Sequence, residues 1–145
     1  DARLGPDPQA NGRIRVDPRA GKECETHFRR LRSKGDLSLV EARPVTGRQH
    51  QIRVHLLASG HAILGDPLYG PTSQEAPQLR PRLALRAVEL SYRDPFTKRS
   101  IHITAPTEEW LGVYGFSAPP VEDSKPSPKP VAEARRNVTG RSKRS

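Results

Sequence analysis

The sequence has little of what builds a large hydrophobic interior. Its 145 residues include one tryptophan, three phenylalanines, three tyrosines and no methionine, and only 33% of them are hydrophobic. A chain of this length is long enough for one domain with a modest core and too short for two ordinary ones. We therefore predict one domain, with part of the chain lying outside its core.

Cysteine and long apolar runs are also scarce. Cys24 is the only cysteine, so no disulfide can form within the chain and nothing indicates an oxidising compartment. The sequence has no apolar run as long as a membrane span, and it opens at Asp1 with neither an initiator methionine nor a signal peptide. We expect a soluble, cytoplasmic, monomeric protein with no membrane partner, and a chain that is a segment of something longer.

Positive charge, by contrast, is abundant. Lysine and arginine number 25 against 16 acidic residues, which gives a formal net charge of +9, and 19 of the cations are arginine. Arginine suits bidentate contacts with phosphate, so this composition predicts a polyanionic partner. The alternative is a basic, solvated surface that binds no specific ligand.

The last 29 residues differ in composition from the rest. Residues 117–145 contain five prolines, no aromatic residue, and seven lysines or arginines against three acidic residues. This composition is typical of a disordered basic tail. We predict a folded part over residues 1–116 and a tail over 117–145, where the sequon at Asn137 has no role because nothing suggests secretion.

Two hairpins are predicted from the distribution of apolar residues and turn residues. The first pairs Thr26–Arg32 with Leu37–Arg43 around a turn at Gly35, because glycine readily takes the positive φ of tight turns. The second pairs Leu83–Tyr92 with Ser100–Ala105. Alternation along the last strand predicts one wet face, formed by Ser100, His102 and Thr104.

A helix of about three turns is predicted between the hairpins, over Arg48–Ser59, with Gly60 as its C-terminal cap. Its apolar residues are spread around the whole circumference, so we expect it to be largely buried. Arg53 lies among them, and an arginine on a buried helix needs an anion. Arg53 could point at a carboxylate, a phosphate or a cleft. Alternatively, it could form a structural ion pair, or its side chain could extend to the surface and keep its charge in water.

A metal site is disfavoured, although His50, His55, His61 and Asp66 lie within a short stretch. His50 and His55 are five residues apart, whereas a chelating pair on a helix needs a spacing of three or four residues. We predict no metal site.

Two ungapped stretches resemble the signature of the RluA-like family of RNA pseudouridine synthases. They are residues 46–56, TGRQHQIRVHL, and residues 60–70, GHAILGDPLYG. The resemblance covers nearly all of residues 1–116. It implies an α/β (α+β) domain with a mixed, largely antiparallel sheet and flanking helices, of which this chain supplies the C-terminal portion.

The resemblance also implies a reaction. Members of the family convert a particular uridine of ribosomal or transfer RNA to pseudouridine without a cofactor, after the base is flipped into a pocket. Their catalytic aspartate lies in a His-Arg-Leu-Asp motif and a stacking tyrosine lies in a Lys-x-Tyr segment, and this sequence contains neither. We therefore expect no activity from the chain alone.

Site residues follow from the same resemblance. Arg53 matches the arginine that pairs with the catalytic aspartate, so its anion is expected to lie outside this chain. Arg48, His50 and Gln51 match the same motif, and each is expected either to bind RNA or to support the motif through packing and hydrogen bonds. Asp66 is interpreted as a turn residue, and Arg86 stands where the family commonly has histidine.

Two other classes of function stay open at this point. The chain could be an RNA-binding module that kept the fold and lost the chemistry. It could also be a structural or ribosome-associated protein that uses its basic surface and tail.

Overall fold

The computed structural model describes residues 1–70 and 83–117, which form seven strands and two helices. Every strand pair in these residues is antiparallel, and the strands form three separate sheets. The expected α+β organisation is confirmed. The elements are β1 Ala2–Pro6, β2 Ile14–Val16, β3 Lys22–Cys24, β4 Thr26–Lys34, β5 Leu37–Pro44, α1 Gln51–Ala58, β6 Glu89–Arg93, β7 Ser100–Thr104 and α2 Glu108–Val113.

The small core lies where the first sheet meets α1. In that sheet β1 is central and pairs with β2 on one side and β3 on the other. Leu4 of β1 and Cys24 of β3 are buried together with Val54 of α1 and Tyr69. These three short strands were not predicted from the sequence, although they fix the position of α1.

The first hairpin is confirmed, with β4 and β5 each slightly longer than predicted. Gly35 has a φ of 55° in the turn that joins the strands, which glycine adopts without the steric cost met by other residues. The register shifts between Arg30 and Arg32, where β4 carries one extra residue. A bulge of this kind bends the strand locally.

Helix α1 is shorter than predicted because its first turn does not form. His50 lies just before the helix in the left-handed region, with a φ of 53°, so the helix begins at Gln51 rather than at Arg48. Its end agrees with the prediction. Gly60 has a φ of 82°, and the amides of Gly60 and His61 bond to the carbonyls of Leu57 and Leu56, a pattern that satisfies the last carbonyls of a helix.

Burial of α1 is only partial, in contrast to the prediction. Gln51, Val54 and His55 are buried, whereas Leu57 is 39% exposed. The apolar residues surround the helix, but the first sheet and the first hairpin together cover only part of it within the described residues. The opposite side faces an open groove.

The second hairpin is also present, with a later start than predicted. Residues 83–88 have no strand structure, and β6 begins at Glu89. Leu90 pairs with Ile103 and Tyr92 pairs with Ile101, which gives the hairpin one apolar face as the alternation predicted. That face is not covered, since Ile103 is 50% exposed.

The predicted tail lies almost wholly outside the described residues. Ser117 is the exception, and its hydroxyl accepts a 2.7 Å hydrogen bond from Arg32. Lys34 donates to the carbonyl of Gly115 in the same region, so the end of the first hairpin holds the segment that follows α2. Among the described helices, none has the length and apolar character needed to cross a membrane.

Replacing Gly60 with alanine is expected to destabilise the protein by about 1 kcal/mol, because a side chain is strained in the left-handed region. The control is Gly47→Ala, at a glycine without positive φ and with no atom within 4 Å of an added Cβ. Urea unfolding of both variants measures the difference. Equal stability of the two would contradict the role given to Gly60.

Candidate active site

Arg53 and Asp66 form a buried, two-point ion pair at the centre of the candidate site. Arg53 Nε donates to Asp66 Oδ2 at 2.8 Å, and Arg53 Nη2 donates to Asp66 Oδ1 at 2.6 Å. The Asp66 side chain is 0% exposed and that of Arg53 is 12% exposed. Such planar, bidentate geometry is the strong form of an arginine–carboxylate contact.

The loop after α1 holds the carboxylate in place. Asp66 Oδ1 also accepts hydrogen bonds from the backbone amides of Leu68, at 2.9 Å, and Tyr69, at 3.0 Å. The interpretation of Asp66 as a turn residue is confirmed. Gly70 closes the turn by donating to the carbonyl of Asp66, and a Cβ at Gly70 would collide with that carbonyl.

Arg53 has an anion within this chain, because Asp66 occupies two of its nitrogens as in the alternative of a structural ion pair. The expected pairing with a catalytic aspartate outside the chain stays a prediction. The pair with Asp66 was not predicted because the two residues are thirteen positions apart and only the fold of the loop brings them together. Arg53 Nη1 has no partner among residues 1–70 and 83–117, and it is not enclosed.

The ion pair shifts the ionisation of both groups. Burial raises the pKa of Asp66, but the hydrogen bonds from Arg53 and from the amides of Leu68 and Tyr69 outweigh burial, and the net shift is downward. The hydrogen bond to Asp66 raises the pKa of Arg53 against the opposing effect of burial. Both groups are therefore charged over the whole physiological range of pH.

Tyr69 links this pair to the first sheet and to the start of α1. Its hydroxyl accepts a 2.8 Å hydrogen bond from the amide of Ile14 and lies 2.9 Å from Nδ1 of His50. Its ring centroid lies 4.9 Å from the guanidinium carbon of Arg53 and 5.1 Å from that of Arg13, within the range of cation–π attraction. The quoted motif includes Tyr69, yet sequence reasoning gave it no role.

His50 is hydrogen-bonded to Tyr69 through Nδ1, and either group can be the donor in this contact. Burial, and next the charge of Arg53, lower the pKa of His50. His50 is therefore neutral near pH 7, and its Nε2 has no hydrogen-bond partner among the described residues.

Gln51 and Arg48 have different surroundings although they belong to the same motif. The buried Gln51 amide bonds to Thr46, to the amide of Arg48, to the carbonyl of Glu25 and to Thr26. These four bonds tie the loop before α1 to the start of β4. The side chain of Arg48 is exposed and contacts no partner in the described part of the chain.

The residues weighed as metal ligands do not come together. His55 is buried and bonds to Thr26 Oγ1 at 3.0 Å, while His61 is exposed and Asp66 is occupied by Arg53. Within residues 1–70 and 83–117, no group of three or more histidine, cysteine or acidic side chains could hold a metal ion.

Comparison with known proteins shows which enzymes this chain is similar to. The family described as RNA pseudouridylate synthase matches residues 3–58. The dual-specificity RNA pseudouridine synthase RluA of Pasteurella multocida is 43% identical over 101 residues, which are 69% of this chain and 39% of that protein. The matches are to RNA pseudouridine synthases of the RluA-like family, as the sequence resemblance implied.

Other members of this family match in the same way. Ribosomal large subunit pseudouridine synthase C of Vibrio cholerae is 40% identical over 106 residues, 71% of this chain and 33% of that protein. Pseudouridylate synthase RPUSD2 of Mus musculus is 60% identical over 62 residues, 43% of this chain and 11% of that protein. The chain thus spans between about a tenth and two fifths of the length of these pseudouridine synthases.

Replacing Asp66 with asparagine is expected to destabilise the protein by about 3 kcal/mol, because it leaves the charge of Arg53 buried without its partner. Asp36→Asn, at an exposed carboxylate that has no ion pair within residues 1–70 and 83–117, is the matched control and should change stability by less than about 0.5 kcal/mol. Urea unfolding at pH 7 compares the two.

The same variant tests a pH dependence. The folded-state pKa of Asp66 lies below its ordinary value of 3.8, so its ionised form stabilises the fold above that value and the stabilisation is lost as pH falls through the folded pKa. The stability of the unaltered protein is expected to decline below about pH 4, and Asp66→Asn should lose part of that decline. Unchanged curves would show that the carboxylate contributes nothing to acid sensitivity.

Replacing Tyr69 with phenylalanine keeps the ring but removes the hydroxyl, which leaves the amide of Ile14 without its acceptor. We expect a loss of about 1 to 3 kcal/mol. Tyr92→Phe, on the exposed β6 strand, is the control and should be close to neutral. Thermal unfolding, monitored by circular dichroism, compares the two variants. Equal effects would rule out the linking role of Tyr69.

Proposed function

We propose that this chain is the C-terminal part of the catalytic domain of an RNA pseudouridine synthase. It contributes Arg53 to the active site, and the catalytic aspartate comes from a segment outside this sequence. The proposal rests on the contacts that the nitrogens of Arg53 make. Asp66 fixes two of its nitrogens, while Nη1 stays reachable and unpaired within the described residues.

An arginine held in this way can bind a second carboxylate. Asp66 fixes the plane of the guanidinium and neutralises one charge, so little rotational freedom is lost when another anion binds Nη1. A cation beside a carboxylate favours its ionised form. Arg53 would thereby keep the catalytic aspartate charged for its attack, as the family resemblance implies.

The substrate of the complete enzyme would be ribosomal or transfer RNA with the target uridine flipped out of its stack. The reaction breaks the bond between ribose and N1 and rejoins the ribose to C5, so no cofactor is required. Arg48 would bind RNA phosphate through its exposed side chain, and His50 would contact RNA through Nε2, the ring nitrogen that is not bonded to Tyr69. Gln51, whose amide is fully engaged, would support the motif.

An open apolar groove supports the view that more of the domain covers this part. The groove lies between the first hairpin, α1 and α2, and has a volume of about 1250 Å³. Phe28, Leu57 and Leu85 line it and are each more than a third exposed. Apolar surfaces of this kind usually mark an interface. The preceding part of the catalytic domain would bury it.

A chimeric enzyme tests this function. The 101 matched residues of Pasteurella multocida RluA are replaced with the corresponding residues of this chain, and RNA labelled with tritium at C5 of uracil serves as substrate. Isomerisation forms a bond at C5 and releases the tritium. The chimera should be active, and Arg53→Ala should slow it on the order of 100-fold or more.

Arg99→Ala, in the turn of the second hairpin, is the matched control and should retain the rate of the chimera. The chain alone should release no tritium. A folded, RNA-binding but inactive chimera would instead favour an RNA-binding module without chemistry. Tritium release by the chain alone would show that the reacting group lies within it.

A further inference from the structure

Arg13 is a second cation beside the ring that supports Arg53. Both guanidinium carbons lie about 5 Å from the centroid of Tyr69, so the two cations are within about 10 Å of each other. Two arginines at such a distance in a partly buried setting repel each other. Their proximity requires either an anion or a contact that offsets the repulsion.

The described residues do not balance the charge of the cluster around Tyr69, which comprises Arg13, Arg53 and Asp66. Asp66 is fully engaged, since its two oxygens accept from Arg53 and from two backbone amides. The side chain of Arg13 has no acceptor within residues 1–70 and 83–117, and its Nε is enclosed and unpaired. Enclosing a charged donor without a partner is unfavourable, because the donor loses its hydrogen bonds to water.

The remaining nitrogens of Arg13 are not enclosed, so a ligand can reach them. Its guanidinium lies over the Tyr69 ring, which restrains its plane and leaves its outer edge available for a bidentate contact. Arg53, also in contact with Tyr69, keeps one further unpaired donor at Nη1. The two arginines therefore present unpaired donors beside one ring, and no carboxylate is free to accept from them within residues 1–70 and 83–117.

We propose that Arg13 binds a backbone phosphate of the RNA beside the target nucleotide. This inference rests on the proposed function for the identity of the polyanion. A phosphate matches the planar fork of a guanidinium and balances the excess charge. The two arginines beside Tyr69 then have different ligands: Arg53 faces the catalytic carboxylate, and Arg13 binds the RNA strand from which the base is flipped.

The first test uses the unaltered full chain. Nitrogen-15 NMR follows the Nε–H signals of Arg13 and Arg15 while inorganic phosphate, and separately a single-stranded uridine-rich RNA, is added. Arg15 is an exposed arginine two residues away and serves as the internal control. The Arg13 signal should shift and saturate with both ligands, while that of Arg15 should move little.

Two outcomes of this titration would overturn the proposal. Equal, non-saturating shifts of the two arginines would show general screening by ions. A response of Arg13 to inorganic phosphate without a response to RNA would show a site for a free anion only.

The second test measures RNA affinity against salt for Arg13→Gln, Arg13→Lys and Arg15→Gln. Loss of one phosphate contact on single-stranded RNA should lower the slope of log affinity against log salt by about 0.7. We expect this loss for Arg13→Gln, recovery of the slope in Arg13→Lys, and a smaller change for Arg15→Gln. Equal slopes for the two glutamine variants would refute the proposal.

A purely structural role predicts a different pattern. If Arg13 only stacked on Tyr69, both Arg13 variants would lose thermal stability and neither would change the salt slope. The chimeric enzyme separates this inference from the proposed function. An active chimera with an unresponsive Arg13 would refute only the phosphate site, whereas an inactive chimera with a responsive Arg13 would refute only the enzyme.

Discussion

The ion pair between Arg53 and Asp66 is the contact on which the rest of the site depends. Helix α1 has only eight residues, and a helix that short is held by tertiary contacts rather than by its own propensity. The pair ties it to the following loop, whose amides bond to the same carboxylate. That loop then directs Tyr69 to the amide of Ile14, so one carboxylate connects the helix, the loop and the first sheet.

The region around this ion pair shows which structural features could be predicted from the sequence and which could not. The hairpin turn at Gly35 and the helix end at Gly60 depend on local backbone geometry, which residue type largely determines. The late start of α1 depends on the left-handed conformation of His50, which its contact with Tyr69 supports. No local pattern encodes that contact.

The partial burial of α1 also depends on tertiary contacts that no local pattern encodes. Apolar residues around the whole helix predicted complete burial, and the prediction holds for Val54 but not for Leu57. Periodicity indicates which residues tend to avoid water, but it does not tell which partner covers them. The exposed side of α1 and the apolar face of the second hairpin are the places where this sequence requires a partner for burial.

Asp66 is poorly suited to act as the nucleophile of the site. Its carboxylate has no exposed surface, and its two oxygens accept four hydrogen bonds that favour the ionised form. Attack on a ribose or a uracil would break these bonds and leave Arg53 without its partner, at a cost of several kcal/mol. The arrangement instead suits a fixed carboxylate that orients an arginine, and it leaves Nη1 of that arginine for the reacting carboxylate that we propose.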